Sequence, residues 1–515
     1  MQFLDQAIEF QPLSGQATPT FTAQVTDDEL QAFCQAVRHA QRRLVALWGS
    51  DQRDRHATHG YALHTAFDLV EGLVCLTLPL ATENPTFPDL SQFFPAAKRM
   101  QRTVRDLLGA TSEDSDQRPW LRHANWPEDH YPLRRDTPDA HFENQNEIYD
   151  FVRVEGDGVH EVAVGPIHAG IIEPGHFRFS VIGEGVLRLE ERLGWKHKGI
   201  ERRFVGMTLV EGAQLAGRVS GDSTVAYAWA YSQAAEAISQ TTPPARALWL
   251  RALLLERERI ANHLGDLGYL GNDVALAFGL MQFMRLKEDW VRLNATLFGH
   301  RLLMDRIIPG GVSVDLEPDG IQAINQQCHR VEQEVRSLKS IYDEHAGLQD
   351  RFLTTGCIPP PLAAQLGVIG LAGRASEQRW DQRCNHPCQP YVQLAPKMAI
   401  EANGDVAARA LVRFAEIVES LNLIRTILRD LPSGALRAEV RSAADQRGFG
   451  WIEGWRGDIL VALETGSDGK LRRGHCHDPS WQNWPALEHA VIDNIVPDFP
   501  LINKSFNLSY SGADL

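Results

Sequence analysis

Residues 165–236 constrain this chain more than any other stretch, and at their centre stands Arg218-Val219-Ser220-Gly221-Asp222-Ser223. The run after it, residues 226–238, is rich in alanine and aromatics and has no internal Gly or Pro, which predicts a helix. A glycine therefore breaks a long helical region that then resumes. At such a break the backbone can turn side chains into a cavity, and Ser220 and Ser223, three residues apart, can point the same way. Ahead of it lies an extended, histidine-bearing segment, Val164-Gly165-Pro166-Ile167-His168-Ala169-Gly170, closed by Glu173-Pro174-Gly175-His176. Function turns on what occupies that cavity.

Several classes are excluded early. A net charge of -15 over 515 residues argues against a nucleic-acid binder, whose affinity rests on clustered Lys and Arg. The short run Lys470-Leu471-Arg472-Arg473 reads as a solvated turn. No apolar run reaches the length of a membrane span; the longest, residues 274–284, reads as a buried helical segment. The opening residues lack the pattern of a signal peptide. A cytoplasmic location is expected, with membrane contact only through partner subunits. Seven cysteines, none paired as CxxC, do not suggest a disulfide framework. Cys384, His386 and Cys388 are a weak metal signal, and loop or core cysteines are the expectation.

The predicted class is α+β. Residues 1–140 read as an α/β unit, with helical spacing over 28–48 (Leu30, Phe33, Val37, Leu44, Leu47), strands within 61–80 and a helix over 94–108. Prolines 119, 127, 132 and 138 make residues 118–138 a linker wrapping a neighbouring surface. Residues 141–515 read as a mainly helical domain that opens with a small sheet. A hairpin is predicted over 144–164 around Gly156-Asp157-Gly158, and a second pair around Phe177 and Val186. Pro243-Pro244 separates two helices. On the second of these, Glu256, Arg259 and His263 share one face, as a surface ion-pair ladder or as a polar seam facing a cofactor or proton path. Helices follow over 274–298 and 319–344, then an amphipathic one over 405–428, and a strand pair over 448–463.

No GxxxxGK[ST], helix-opening GxGxxG, GxSxG or HExxH occurs, so nucleotide binding and the corresponding hydrolases are unsupported. The run from Gly165 to Phe179 instead resembles the large subunits of membrane-bound, energy-converting nickel–iron hydrogenases, themselves similar to the 49-kDa family of respiratory complex I. Lys196-His197-Lys198-Gly199-Ile200-Glu201, residues 255–267, Arg306-Ile307-Ile308-Pro309-Gly310-Gly311-Val312 and Gly404-Asp405-Val406-Ala407-Ala408-Arg409 continue the likeness in order. Arg105-Asp106-Leu107-Leu108-Gly109 and Tyr131-Pro132-Leu133-Arg134-Arg135-Asp136 resemble the 30-kDa family of the same complex.

The departures from that pattern carry the functional expectation. The resemblance implies two CxxC pairs holding nickel and iron; here they map onto Ser220 and Ser223, and onto Ser480 and Asn483 after Asp478-Pro479. Hydroxyls and amides are hard, neutral ligands that do not replace thiolates at nickel. The complex I relatives use the vacated space for a quinone, and His168 matches the histidine of their GPxHP motif, a suitable proton donor to a quinol oxygen. Ala169 stands for the motif's proline, and Gly221 for the quinone-binding tyrosine. His168 and Asp222 are thus the candidate catalytic residues. His176, Arg218, Ser220, Ser223, Asp478 and Ser480 are candidate cavity residues, and no metal is expected. Two readings stay open: His168 braces the sheet or serves a quinone, and the Ser220–Ser223 group is a polar helix break or a redox cavity. Asp222 as a proton carrier would require burial and a raised pKa.

The resemblance implies an electron-transfer subunit of a complex-I-like assembly coupled to ion translocation. Its partners would be a small iron–sulfur subunit and membrane subunits similar to complex I ion pumps, with an inactive scaffold or an active hydrogenase as rival readings. With no metal to trigger cleavage, the apolar tail over 494–510 is expected to be retained and docked.

Overall fold

The computed structural model describes residues 8–55, 60–114, 116–127, 129–138, 142, 148–168 and 172–515. Ala169, Gly170 and the first residues of the expected 144–164 hairpin lie outside these.

Near the N-terminus, five strands form one sheet in the order Gln11–Pro12, Thr20–Gln24, Gly72–Leu80, Tyr61–Leu69, Arg43–Asp51. The helix Asp27–His39 packs beside it, opened by a capping box in which Thr26 and Glu29 satisfy each other's backbone donors. The helical spacing read over 28–48 is corrected here. The helix stops at His39, Gln41 takes a left-handed φ of 52°, and Leu44 and Leu47 belong to a strand buried on both faces. The 118–138 linker wraps as expected: the Asp106 carboxylate, at the end of the helix Ala97–Leu108, accepts N–H bonds from Trp120, Leu121 and Arg122.

A second sheet joins Gly185–Arg192, His176–Ile182 and Val159–Val164. Its first hairpin differs from expectation. Residues 151–155 form no strand, because the Val152 N–H is taken by the Glu190 carboxylate, and Val159–Val164 pairs with His176–Ile182 instead. The Val186 segment is a strand throughout. Apolar packing under the N-terminal sheet continues through Phe177, Phe179 and Leu189 into Trp484, Phe499 and Tyr510, so N-terminal and C-terminal segments share one core.

Helices dominate from Ile200 on. Thr224–Ser239 is buried along nearly its whole length because it lies on a third sheet, Arg447–Glu453, Asp458–Thr465 and Leu471–His477. Gly450 permits that approach: any Cβ there would strike the Ala230 carbonyl of the helix. The third strand corrects the solvated-turn reading of 470–473. Leu471, Arg472 and Arg473 are buried, with Arg472 paired to Glu464 and Asp54, and Arg473 to Glu201.

Three further expectations change. In the helix Ala277–Phe298, Phe278 and Met281 are exposed, so the 274–284 segment is not buried all round. Glu256, Arg259 and His263 are all buried, which makes them a polar seam and not a surface ladder. The helix Val406–Asp430 buries Arg409, Arg413, Glu416 and Ser420 as well as its apolar stripe. Both polar faces look solvated in sequence because charge alone does not tell solvent from a buried partner.

Candidate functional site

The break between the helices Leu209–Ala216 and Thr224–Ser239 is a single 3-10 turn, Gly221–Ser223, entered through an extended Ser220. Lys198 caps its approach by donating to the carbonyls of Arg218 (3.2 Å) and Val219 (2.5 Å). From the other side, Trp455 Nε1 and Asn262 Nδ2 both donate to the Asp222 carbonyl, at 2.9 and 2.7 Å. The turn is therefore fixed at its backbone, and its side chains project into a space shared with three distant segments.

Arg456 organises that space. It stands in the turn Gly454-Trp455-Arg456-Gly457, with its guanidinium 3.9 Å above the Trp455 ring. Nη1 and Nη2 donate to the two oxygens of Asp222 at 2.9 and 2.6 Å, Nη1 also reaches Ser223 Oγ at 3.3 Å, and Nε donates to the Asn507 carbonyl at 2.5 Å. Partial burial pulls the Asp222 carboxyl up, but Arg456 and the Ser220 hydroxyl outweigh it and hold the group at about 2. Asp222 is thus an ionised anchor for Arg456, the opposite of what a proton carrier requires. Its neighbour Glu258 differs. Buried, and accepting the N–H groups of Val225 (2.7 Å) and Ala226 (3.2 Å), its carboxyl is pushed up to about 8, chiefly by desolvation.

The C-terminal tail completes the site. Ser220 Oγ donates to Asp222 Oδ1 at 2.7 Å and lies 3.0 Å from Ser509 Oγ. The Ser509 N–H donates to Ser480 Oγ at 2.8 Å, and Ser509 Oγ accepts from Gly512 N at 2.8 Å. Asp478 accepts the Tyr227 hydroxyl at 2.6 Å and the Ser480 N–H at 2.8 Å. Asn483 clasps the Ile369 backbone through both ends of its amide, at 3.0 and 3.1 Å. Beyond Ser509 the chain stays buried: the Leu515 carbonyl accepts from Lys198 N at 2.7 Å, and the Asp514 carboxylate accepts from Gly194 N and Lys196 N at 3.0 and 2.8 Å.

The structure thus gathers Ser220, Asp222, Ser223, Asp478 and Ser480 around residues 507–512. Arg218 is elsewhere, its guanidinium forming a bidentate pair with Asp305 at the surface, 2.7 and 2.8 Å. His168 and His176 belong to the preceding loop. His168 Nε2 donates to the Gly175 carbonyl at 2.8 Å, and His176 Nδ1 donates to the Gly165 carbonyl at 3.0 Å, cross-bracing the two ends. That loop meets the tail from outside, through Glu173 accepting the Ser511 N–H at 3.0 Å. Trp229 stacks on Tyr391, and Trp481 packs against Trp120 and His477, so the partner hydrogen-bonded to Ser220 and Ser480 is Ser509 and neither indole. Sequence reading missed Arg456, Tyr227, Glu258 and Ser509. Only Arg456 left a signal, a basic residue inside a Gly-x-x-Gly turn. Cys384, His386 and Cys388 diverge to Pro396, Asp68 and Gln233, and the described residues hold no group of three or more His, Cys, Asp or Glu arranged for a metal ion.

The family described as respiratory-chain NADH dehydrogenase, 49 Kd subunit, matches residues 273–449, and its 30 Kd counterpart matches residues 23–143. Formate hydrogenlyase subunit 5 of Escherichia coli (strain K12) is 31% identical over 92% of this chain and 84% of its own length. Hydrogenase-4 component G of the same organism is 30% identical over 92% and 83%. The carbon monoxide-induced hydrogenase of Rhodospirillum rubrum is 29% identical over 67% and 96%. In fold, a chain of the membrane-bound sulfane sulfur reductase, an archaeal respiratory membrane complex, superposes with a TM-score of 0.66 at 23% identity, covering 70% of this chain and 99% of that one.

Proposed function

Because this chain belongs to the family of formate hydrogenlyase subunit 5 and hydrogenase-4 component G, with a fused arrangement of 30- and 49-kDa-type units, we propose that it is a peripheral-arm subunit of a complex-I-like membrane assembly that works without nickel–iron. It lies against a small iron–sulfur subunit and is held at the inner face of the cell membrane by ion-pump-like partners. No helix among the described residues is long and apolar enough to cross a membrane. Electrons from the partner's cluster pass to a quinone or another acceptor at this subunit, and the step drives ion translocation through a rearrangement of the cavity loops.

One observation carries the metal-free part of this reading. The four positions that the hydrogenase resemblance gives to metal ligands are three hydroxyls and an amide, and each is hydrogen-bonded within the protein. The Arg456 guanidinium also reaches Ser223 Oγ, at 3.3 Å. This donor set does not fit nickel, so no step runs through a metal. The purified complex should contain iron and sulfide from its partner but only traces of nickel, and should reduce a quinone analogue from a low-potential donor. Stoichiometric nickel, or hydrogen evolution, would falsify the reading. The tail supports a second reading, a scaffold whose chamber is filled by Ser509 to Gly512. It expects the partner cluster to be reducible while no acceptor is turned over at this subunit.

A further inference from the structure

Beyond the chamber, a group of buried ionisable side chains lies where the helices Ala245–Asp273 and Val406–Asp430 meet the strand Arg447–Glu453. Four carboxyl groups, Glu256, Asp381, Glu416 and Glu453, face three guanidiniums, Arg259, Arg374 and Arg383, and all seven are buried. Arg374 joins Glu416 (2.6 Å) to Glu453 (2.8 Å) and lies 3.7 Å from Asp381. Arg383 joins Asp381 (2.7 Å) to Glu256 (3.0 Å), and Arg259 lies 3.3 Å from Glu256 and 3.6 Å from Glu416. Four acids against three bases leave one negative charge in excess. Burying an unbalanced charge is costly, and the usual escape is to bind a proton.

Geometry says which group takes it. His263 donates from Nε2 to Glu416 at 2.7 Å, and its Nδ1 has no partner among the described residues, which fits the neutral ring that burial favours. Glu256 is saturated by Arg259, Arg383, Tyr391 and Ser420, and Asp381 by Arg383. Among the described residues, Glu453 accepts only from Arg374 and the Gln382 N–H. One buried acceptor belongs to the residue paired with it across the sheet, Asp458 Oδ1, which has no donor among the described residues. A carboxylic O–H on Glu453 would supply one. The wider surroundings add no compensating positive charge. Arg43 is shared between Asp458 and Asp68, His386 sits on Asp68, and Arg413 is committed to Asp266.

We propose that the Glu453 carboxyl is a buried proton-binding site, holding one exchangeable proton for this cluster and responding to charge in the neighbouring chamber. The link is short. Glu453 precedes the Gly454–Gly457 turn whose Arg456 pairs with Asp222, and Arg259 holds the Glu453 and Gly454 carbonyls at 2.9 and 3.0 Å. Burial first, then Asp381, pushes the Glu453 carboxyl up to about 7, where cytoplasmic conditions load and unload it. A use in turnover rests on the function proposed above; the binding of the proton does not.

The test is infrared difference spectroscopy of the full-length chain in its complex, titrated from pH 5 to pH 9. The wild type should show a carboxylic C=O band that fades with a midpoint near 7, and that Glu453→Gln lacks. Asp381→Asn removes the excess acid, so the same band should fade at least about one pH unit lower. Identical spectra for wild type and Glu453→Gln, or an unmoved midpoint in Asp381→Asn, would overturn the proposal. Should Glu453→Gln not assemble, the Asp381→Asn midpoint decides by itself. Nickel in the complex would sink the function proposed above and leave this titration untouched.

Discussion

Replacing Gly512 with alanine tests whether the tail fills the chamber. Gly512 sits in the terminal helix Tyr510–Asp514, facing the Asp478 carboxylate. An added Cβ would lie 2.5 Å from Asp478 Cγ and 2.9 Å from Ser509 Oγ, against about 3.5–4.0 Å for ordinary carbon contacts. Something must therefore move by roughly 1 Å. Asp478 cannot yield freely, because Tyr227 and the Ser480 N–H hold it from the other side. Losing two hydrogen bonds to a charged group costs about 3–6 kcal/mol. Partial relaxation brings the expected penalty to about 3 kcal/mol, or roughly a hundredfold in the population of the undocked tail. The assay is release of Leu515 by carboxypeptidase from protein expressed to that residue, since the buried Leu515 must open before it is cut. Gly512→Ala should release it about a hundred times faster than wild type. In an Asp478→Ala background, where the obstructing carboxylate is gone, the same change should add less than about 1 kcal/mol. Wild-type release from Gly512→Ala would refute the packing argument.

Two further outcomes follow from the same site. Burial pushes the Asp514 carboxyl up to about 7 despite its two backbone donors. The docked tail therefore binds a proton that the undocked tail has already lost above the ordinary carboxylate range. That stabilisation is complete in acid and disappears as pH rises through 7, so tail release should quicken from pH 5 to pH 8 in wild type and not in Asp514→Asn. Asp222→Asn leaves Arg456 buried without its counter-charge. Because the Asp222 side chain is 38% exposed, solvent screening limits the loss to about 1–2 kcal/mol in chemical denaturation. With the carboxyl held at about 2, its contribution is present above the ordinary carboxylate range and fades only as pH falls towards 2. The difference between the two proteins should then be flat from pH 5 to pH 9.

Much of the scaffold was legible locally. The helix after Ser223, the Pro243-Pro244 boundary, the wrapping linker and the strand pair beyond residue 447 follow from periodicity and from residues that start or stop elements, which act over a few positions. Errors arose where a local pattern had two readings. Leu44 and Leu47 fit a helix by spacing, but the left-handed turn at Gln41 ends it and the sheet claims them. Glu256, Arg259 and His263 fit an exposed face until Arg374, Arg383 and Glu416 arrive from other segments to neutralise them.

The sequence alone determined that a glycine interrupts two helices, and that hydroxyl and amide groups stand where the resemblance expects thiolates. Those are properties of single positions and need no partner. Only the tertiary structure decided what faces the break: Arg456, 234 residues from Asp222, and Ser509, 289 residues from Ser220. No local pattern encodes such pairings, because folding creates them when the C-terminal sheet and tail close over the helix break, and burial then gives each charge its worth.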